Sequence, residues 1–160
     1  MSARLARLPG PRDARRFLGQ LRRGRTRSSA LRAVVDGAVV TWTLRRHGVR
    51  PLLAAADGSG TRNDLDPDRA AEVSAAVDAA FGLIPVAPTC LRRSLTLLRE
   101  LRRLGLVATL HVGVRTVDGR VEAHAWVQAG EQVVNDDAAL IATYTELAAG
   151  ELERLLPALA

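Results

Sequence analysis

A tight turn between two alternating segments is the feature that most constrains how this chain folds. Asp118-Gly119 is a strong signal for a two-residue β-hairpin loop. With these two residues as the loop, Arg115 faces Glu122 as an oppositely charged cross-strand pair, which supports the register. We therefore expect three short strands, at about 107–115, 121–128 and 132–136.

The hairpin register separates a polar face from an apolar one, because side chains alternate along a strand. On the polar face His124 pairs with Gly113, and His111 pairs with Trp126. Gly113 leaves room for the His124 ring or for a substrate backbone, and Trp126 is a candidate wall of a substrate cleft. The opposite face is entirely apolar and comprises Leu110, Val112, Val114, Val121, Ala123, Ala125 and Val127.

Helix signals dominate the remainder of the chain. Ser28 or Ser29 caps a predicted helix that runs to about His47, and Asp66 caps a second one that stops near Gly82. Further helices are expected near 15–22 and 144–156. The turn-rich loop at 57–67 predicts two parts, a basic helical region at 1–65 and a core at 66–160. In the first long helix, apolar residues recur at helical spacing: Leu31, Val34, Val35, Ala38, Val39 and Trp42.

Cys90 is the only cysteine, and it lies at the start of a predicted helix that Thr89 caps and that runs to Leu104. The partial positive charge and the unpaired N–H groups of a helix start stabilise a thiolate, which is the nucleophilic form. A neighbouring histidine can hold the thiol proton, and a carboxylate can orient the imidazole. His124 is the candidate base, with His111 on the same face as the alternative.

The third member of this arrangement depends on the loop that follows the second strand. A three-residue loop, Ala129-Gly130-Glu131, places Asp136 opposite His124. Two-residue loops place Asn135 or Asp137 there instead. The residues by themselves leave these three open.

Charge and cysteine content exclude several classes of protein. All 23 basic residues are arginine, and 13 of them lie in residues 1–50, so this region is a basic arm. Aromatic platforms and a reading helix for nucleic acid are not evident. One cysteine excludes an intramolecular disulfide framework, and His47, His111 and His124 are too scattered to indicate a metal. With no apolar run of membrane-spanning length and no secretory signal, we expect a soluble cytoplasmic protein without a cofactor.

Two segments of the second half, TCLRRSLTLLRELRRLGLVATLHVGV and EAHAWVQAGEQVVND, resemble the transglutaminase-like leader peptidases of lasso-peptide biosynthesis. The resemblance covers about residues 66–145. It implies an α+β fold, in which a papain-like core of one central helix on a small antiparallel sheet follows a helical N-terminal region. Carried over by position, Cys90 is the nucleophile, His124 the base and Asp136 the third member.

The resemblance also implies a function. Such enzymes cut the leader from a ribosomally made precursor peptide and free an N-terminal amine, which a separate ATP-dependent cyclase then joins into a ring. A separate leader-recognition protein is the expected partner, because the N-terminal region here is helical and not a winged-helix domain. The alternatives are an acyl transferase with the same triad and a non-catalytic peptide-binding module of the same fold.

Overall fold

The computed structural model describes residues 15, 18–19, 27–54, 66–84 and 87–148. The order of helices is α1 (Arg27–His47), α2 (Arg50–Ala54), α3 (Pro67–Phe81), α4 (Cys90–Arg103) and α5 (Ala138–Ile141). The strands are β1 (Thr109–Val117), β2 (Arg120–Ala129), β3 (Gln132–Val133) and β4 (Thr145–Glu146). α5 lies between β3 and β4 in the chain.

The β1–β2 hairpin has the predicted register. Arg115 pairs with Glu122 and Gly113 pairs with His124. Asp118 and Gly119 both have positive φ, 50° and 73°, as a two-residue turn that matches the strand twist requires. Within the described residues the strand order of the sheet is β3-β2-β1-β4, with all pairings antiparallel.

α4 is the central helix, as predicted, and it packs on the sheet and on both preceding long helices. Its leucine stripe is buried, with Leu95 at 1%, Leu98 at 1% and Leu101 at 0% exposure. These side chains meet α1 and α3 on one side and β2 on the other. The α+β class is thus confirmed, and the position of α4 places its first residue, Cys90, beside β2.

α1 buries a different face from the one its apolar residues mark. The buried face is formed largely by small residues, including Ala30 and Ala33 at 0% exposure, and the helix approaches α3 closely at Gly37. A Cβ at Gly37 would lie 2.5 Å from Ile84 Cδ1 and 3.3 Å from the Phe81 ring, so any larger residue here has to displace the end of the Ile84 side chain. Consequently Leu31, Val35, Val39 and Trp42 point outward.

Two further predictions differ from the structure. The third strand ends at Val133 rather than near residue 136. The helix expected from residue 144 is absent over 144–148, because Thr145 pairs with Val114 of β1 and Leu147 N–H donates to the Val112 carbonyl at 2.9 Å. The hydrogen bonds of the β1 edge thus hold this segment extended, and the remainder of that helix lies outside the described residues.

The N-terminal predictions are tested only in part. Arg15, Leu18 and Gly19 are helical, and the rest of 15–22 lies outside the described residues. The division of the chain at residue 65 stays a prediction, although α1 and α3 contribute to one core cluster. Among the described helices, none combines the length and apolar character needed to cross a bilayer.

Candidate active site

Cys90 occupies the first position of α4. Thr89 has extended backbone angles and its hydroxyl accepts the Arg92 N–H at 3.4 Å, so the helix starts where its cap predicts. The Cys90 side chain is partly buried. Its sulfur therefore lies at the positive end of a 14-residue helix, within reach of backbone N–H groups.

The edge of β2 that faces Cys90 is completed by side chains instead of a neighbouring strand. Val127 N–H donates to Asn135 Oδ1 at 2.8 Å, and Ser94 Oγ donates to the Ala125 carbonyl at 2.9 Å. Asn135 Nδ2 in turn donates to Ser94 Oγ at 3.0 Å. The Ala125 backbone N–H hydrogen-bonds to the Cys90 sulfur. This network ties α4, β2 and the segment after β3 together directly behind Cys90.

His124 links the cysteine to an acid. Its Nε2 lies 2.5 Å from Asp136 Oδ2, and its ring is close enough to the Cys90 side chain for the two groups to shift each other's pKa. Because Nε2 faces Asp136, Nδ1 is the nitrogen available to Cys90. The side chains of His124 and Asp136 are 19% and 20% exposed. Cys90, His124 and Asp136 thus lie together as one interacting set.

The loop between β2 and β3 is shorter than the three-residue loop that would pair Asp136 with His124. Gln128 pairs with Val133 and Ala129 with Gln132, so the loop has two residues, and the same register continued would bring Asp137 opposite His124. The ladder ends first, because the Asn135 side chain takes the Val127 N–H. The chain then bends and the Asp136 carboxylate turns to His124, while Asp137 caps α5 by accepting the Ala139 N–H at 2.8 Å.

Aromatic rings support His124 from two sides. Trp126 stacks on it with 6.4 Å between ring centroids, and Tyr144 lies 5.3 Å away. His111 stacks on Trp126, and both of its ring nitrogens are engaged, with Thr109 at 2.7 Å and Glu146 at 2.6 Å. The alternative base is therefore occupied by other partners, and the structure brings His124 to Cys90.

Two supporting residues were missed in the sequence. Tyr144 lies just before β4, where a helix was predicted, and Arg115 stacks over its ring at 4.6 Å from the centroid. Ser94 lies four residues after Cys90 on the same helix face and is 0% exposed. In the sequence, the signal that could have identified Ser94 is a serine one helical turn after the cysteine in an otherwise leucine- and arginine-rich helix.

Gly113 and Trp126, the predicted substrate-binding residues, both lie beneath Tyr144. Trp126 is 2% exposed. A Cβ at Gly113 would lie 3.0 Å from Thr145 O, from Trp126 Cη2 and from Tyr144 Cβ. The space opposite His124 is thus filled by packing, and a role for either residue in substrate binding stays a prediction.

Gly113→Ala is expected to lower the free energy of unfolding by about 1–2 kcal/mol, because the new methyl group meets three neighbours at once and one of them is backbone. Urea unfolding of both proteins measures the difference. Alanine in a strand is otherwise favoured over glycine. A variant with a higher urea midpoint would therefore show that the space at Gly113 is open.

The electrostatics of the site favour a thiolate–imidazolium pair. Burial opposes ionisation of Cys90, but the hydrogen bonds from His124 and from the Ala125 backbone outweigh it and lower the pKa of the thiol. The hydrogen bond to Cys90 raises the pKa of His124, against the effect of burial, and Asp136 adds to the increase. Both shifts stabilise the state with a negative sulfur and a positive ring.

Alkylation of Cys90 by iodoacetamide is expected to begin at a lower pH than that of an ordinary thiol of pKa ~8.5. The rate rises as pH passes upward through the lowered thiol pKa, because the thiolate is the reactive form. In His124→Ala burial remains but the main stabilising partner is lost, so the profile should move to higher pH. Since the chain has one cysteine, adduct mass reports this site directly. A profile that is unchanged in His124→Ala would contradict the pairing.

A small pocket opens beside the cysteine. It has a volume of ≈ 160 Å³ and a mainly apolar lining that includes Leu91, Val112 and Ala123, with Cys90 and His124 at its wall. Pockets for drug-sized ligands and cofactors are typically about 300–1,000 Å³. This pocket therefore suits one side chain of a larger substrate, held next to the sulfur.

One comparison with known proteins gives a match. A sequence profile of the transglutaminase-like superfamily matches residues 29–149. The match includes α1 and α3 as well as the three candidate residues. No curated protein and no solved structure shows significant similarity to the chain.

Proposed function

Because the chain belongs to the transglutaminase-like superfamily, a fold associated with cysteine-protease and acyl-transfer chemistry, we propose that it is a cysteine peptidase that removes the leader from a ribosomally made lasso-peptide precursor. The observation that carries the proposal is that Cys90, His124 and Asp136 lie together, with His124 bonded to Asp136 and placed beside the Cys90 side chain. The resemblance of the segments around Cys90 and His124 to such leader peptidases supports the choice of substrate.

The proposed reaction begins with attack of the Cys90 thiolate on the carbonyl carbon of the last leader residue. A C–S bond forms, and the negative charge that moves to the carbonyl oxygen is stabilised by backbone N–H groups at the start of α4. The His124 imidazolium donates its proton to the leaving nitrogen as the C–N bond breaks. The core peptide leaves with a free amine, and the leader remains as a thioester on Cys90.

Water completes the cycle. His124, now neutral, removes a proton from water as the water oxygen attacks the thioester carbon, and the thiolate leaves. Asp136 keeps the ring in one orientation and stabilises its charged form throughout. The product is a leader with a free carboxylate, and the thiolate–imidazolium pair is restored.

The shape of the site supports a peptide substrate. The ≈ 160 Å³ pocket beside Cys90 accommodates one side chain, and its lining by Leu91, Val112 and Ala123 favours an apolar one. Under this proposal the remainder of the precursor is bound elsewhere. A separate leader-recognition protein would deliver it, and an ATP-dependent cyclase would consume the released amine.

The test is to incubate the purified chain with a precursor peptide encoded in the same gene neighbourhood, with and without the leader-recognition protein, and to follow mass. We expect release of an intact leader, faster with the partner. Incorporation of an added amine at the leader carboxyl, in place of water, would instead identify an acyl transferase. Binding without any mass change, in a folded sample, would identify a peptide-binding module.

A further inference from the structure

The outward face of α1 carries an apolar stripe that the described part of the chain leaves uncovered. Leu31, Val35, Val39 and Trp42 are 49%, 63%, 41% and 57% exposed. They recur at helical spacing on one face and span roughly 16 Å, or three turns, at 1.5 Å per residue. Single exposed apolar side chains are ordinary, but a contiguous row marks an interaction surface.

The exposed charge along this stripe is positive. α1 contains one carboxylate, Asp36, which is 3% exposed and ion-paired with Arg99 and Arg103 of α4. The Arg32 and Arg103 side chains both pair with Glu100, which is 0% exposed, and they remain 43% and 41% exposed along one side of the stripe. The stripe ends at Arg45 and Arg46, which are also exposed. A surface of this kind is complementary to apolar groups bordered by carboxylates.

Part of the surface is concave. Leu31, Val35, Arg32, Asp36 and Arg103 line a groove of ≈ 310 Å³ between α1 and α4. A groove with apolar walls and guanidinium groups at its rim receives a protein side chain, whereas insertion into a membrane surface uses a protruding apolar face. Pairing of two copies of α1 in opposite directions would bring Arg46 of one chain toward Arg32 of the other, so self-association is disfavoured.

We propose that the outward face of α1 is a docking surface for a partner protein that presents an amphipathic helix with carboxylates bordering its apolar side. The helix lies along the stripe, and its apolar residues cover Val35 and Trp42. Its carboxylates lie near Arg32 and Arg103 along one side of the stripe and near Arg45 and Arg46 at its end. The apolar stripe lies on the opposite side of α1 from the core.

The test uses the full chain and two synthetic helical peptides that share one leucine-rich face and differ only in flanking residues, glutamate or lysine. Trp42 is one of two tryptophans and the exposed one, so its fluorescence reports docking as a blue shift. At low salt we expect the glutamate peptide to bind at least about 10-fold more tightly than the lysine peptide, with the preference reduced by added salt.

Substitutions then locate the surface. Val35→Glu should weaken binding of the glutamate peptide by about 10-fold or more, because it removes a buried apolar contact and adds a like charge. Arg46→Glu should reduce the preference for the glutamate peptide. The matched control is Val121→Glu, at an equally apolar residue that is 74% exposed at the far end of the hairpin, and it should leave binding unchanged.

Other results would overturn the proposal. Equal binding of both peptides would show that charge does not select the partner. Binding that Val35→Glu leaves intact would show that the peptide does not lie on the stripe. A Trp42 shift with phosphatidylglycerol vesicles, but with neither peptide, would assign the face to a membrane surface. A dimer that Val35→Glu dissociates would assign it to a second copy. Protection of Trp42 from acrylamide in the free protein would show that the chain covers its own stripe.

Discussion

Cys90→Ala is expected to lower kcat/KM for precursor cleavage by about 10⁴-fold or more, because it removes the only group that forms the acyl-enzyme bond. Water is a much weaker nucleophile than a thiolate, so water activated by His124 cannot replace the sulfur to a comparable extent. Mass spectrometry of the precursor after incubation measures the loss. The same variant should take up no iodoacetamide.

The fold of Cys90→Ala is expected to persist. The thiol is partly buried and α4 is held by its leucine stripe and by the Ser94 bond to Ala125, neither of which changes. Circular dichroism and urea unfolding provide the control. Substantial cleavage by a folded Cys90→Ala protein would mean that the nucleophile lies elsewhere, and would overturn the assignment of the site.

Asp136→Ala and Asp137→Ala are expected to differ sharply, although the two residues are adjacent. Without Asp136 the His124 ring loses the acceptor at Nε2, its orientation and the stabilisation of its charged form, so we expect kcat to fall by about 10²-fold or more. Asp137 caps α5 by accepting the Ala139 N–H, and in the described part of the chain the His124 ring is hydrogen-bonded to Asp136 instead. Loss of Asp137 should cost about 1 kcal/mol of stability and leave the cleavage rate near wild type.

Parallel measurement of kcat and of the urea midpoint separates these roles. The pair is a matched control, since both changes remove one carboxylate from the same bend. If Asp137→Ala is the damaging change, the pairing of β2 with β3 continues past Val134 in solution. The register set by the two-residue loop then extends to His124 and makes Asp137 its partner. The alkylation profile should then shift in Asp137→Ala rather than in Asp136→Ala.

Sequence patterns predicted the elements whose geometry is local. The Asp118-Gly119 turn set the hairpin register, and this register placed His124 opposite Gly113 as observed. Asp66 and Thr89 marked the starts of α3 and α4, each by accepting backbone N–H groups within three residues. Turn and cap geometry depends on a few neighbouring residues, so it can be derived before the fold is known.

The partner of His124 was not derivable in this way. Loop length left Asn135, Asp136 and Asp137 open, and the observed two-residue loop by itself favours Asp137. Asp136 is chosen because Asn135 leaves the ladder to bond Val127 and Ser94. Ser94 belongs to α4, 41 residues earlier, so the outcome depends on how that helix packs on β2.

The same distinction explains α1. Its apolar spacing predicts the helix, but the buried side is decided by how closely α3 and α4 approach. That approach is made over the small residues Ala30, Ala33 and Gly37. Hydrophobicity along one helix contains no information about the distance to its neighbours. The amino-acid sequence by itself therefore determined the three long helices, the hairpin register and the cysteine and histidine of the candidate site. Only the tertiary structure decided which acid meets His124 and which face of α1 is left open, because both depend on contacts between segments distant in the chain.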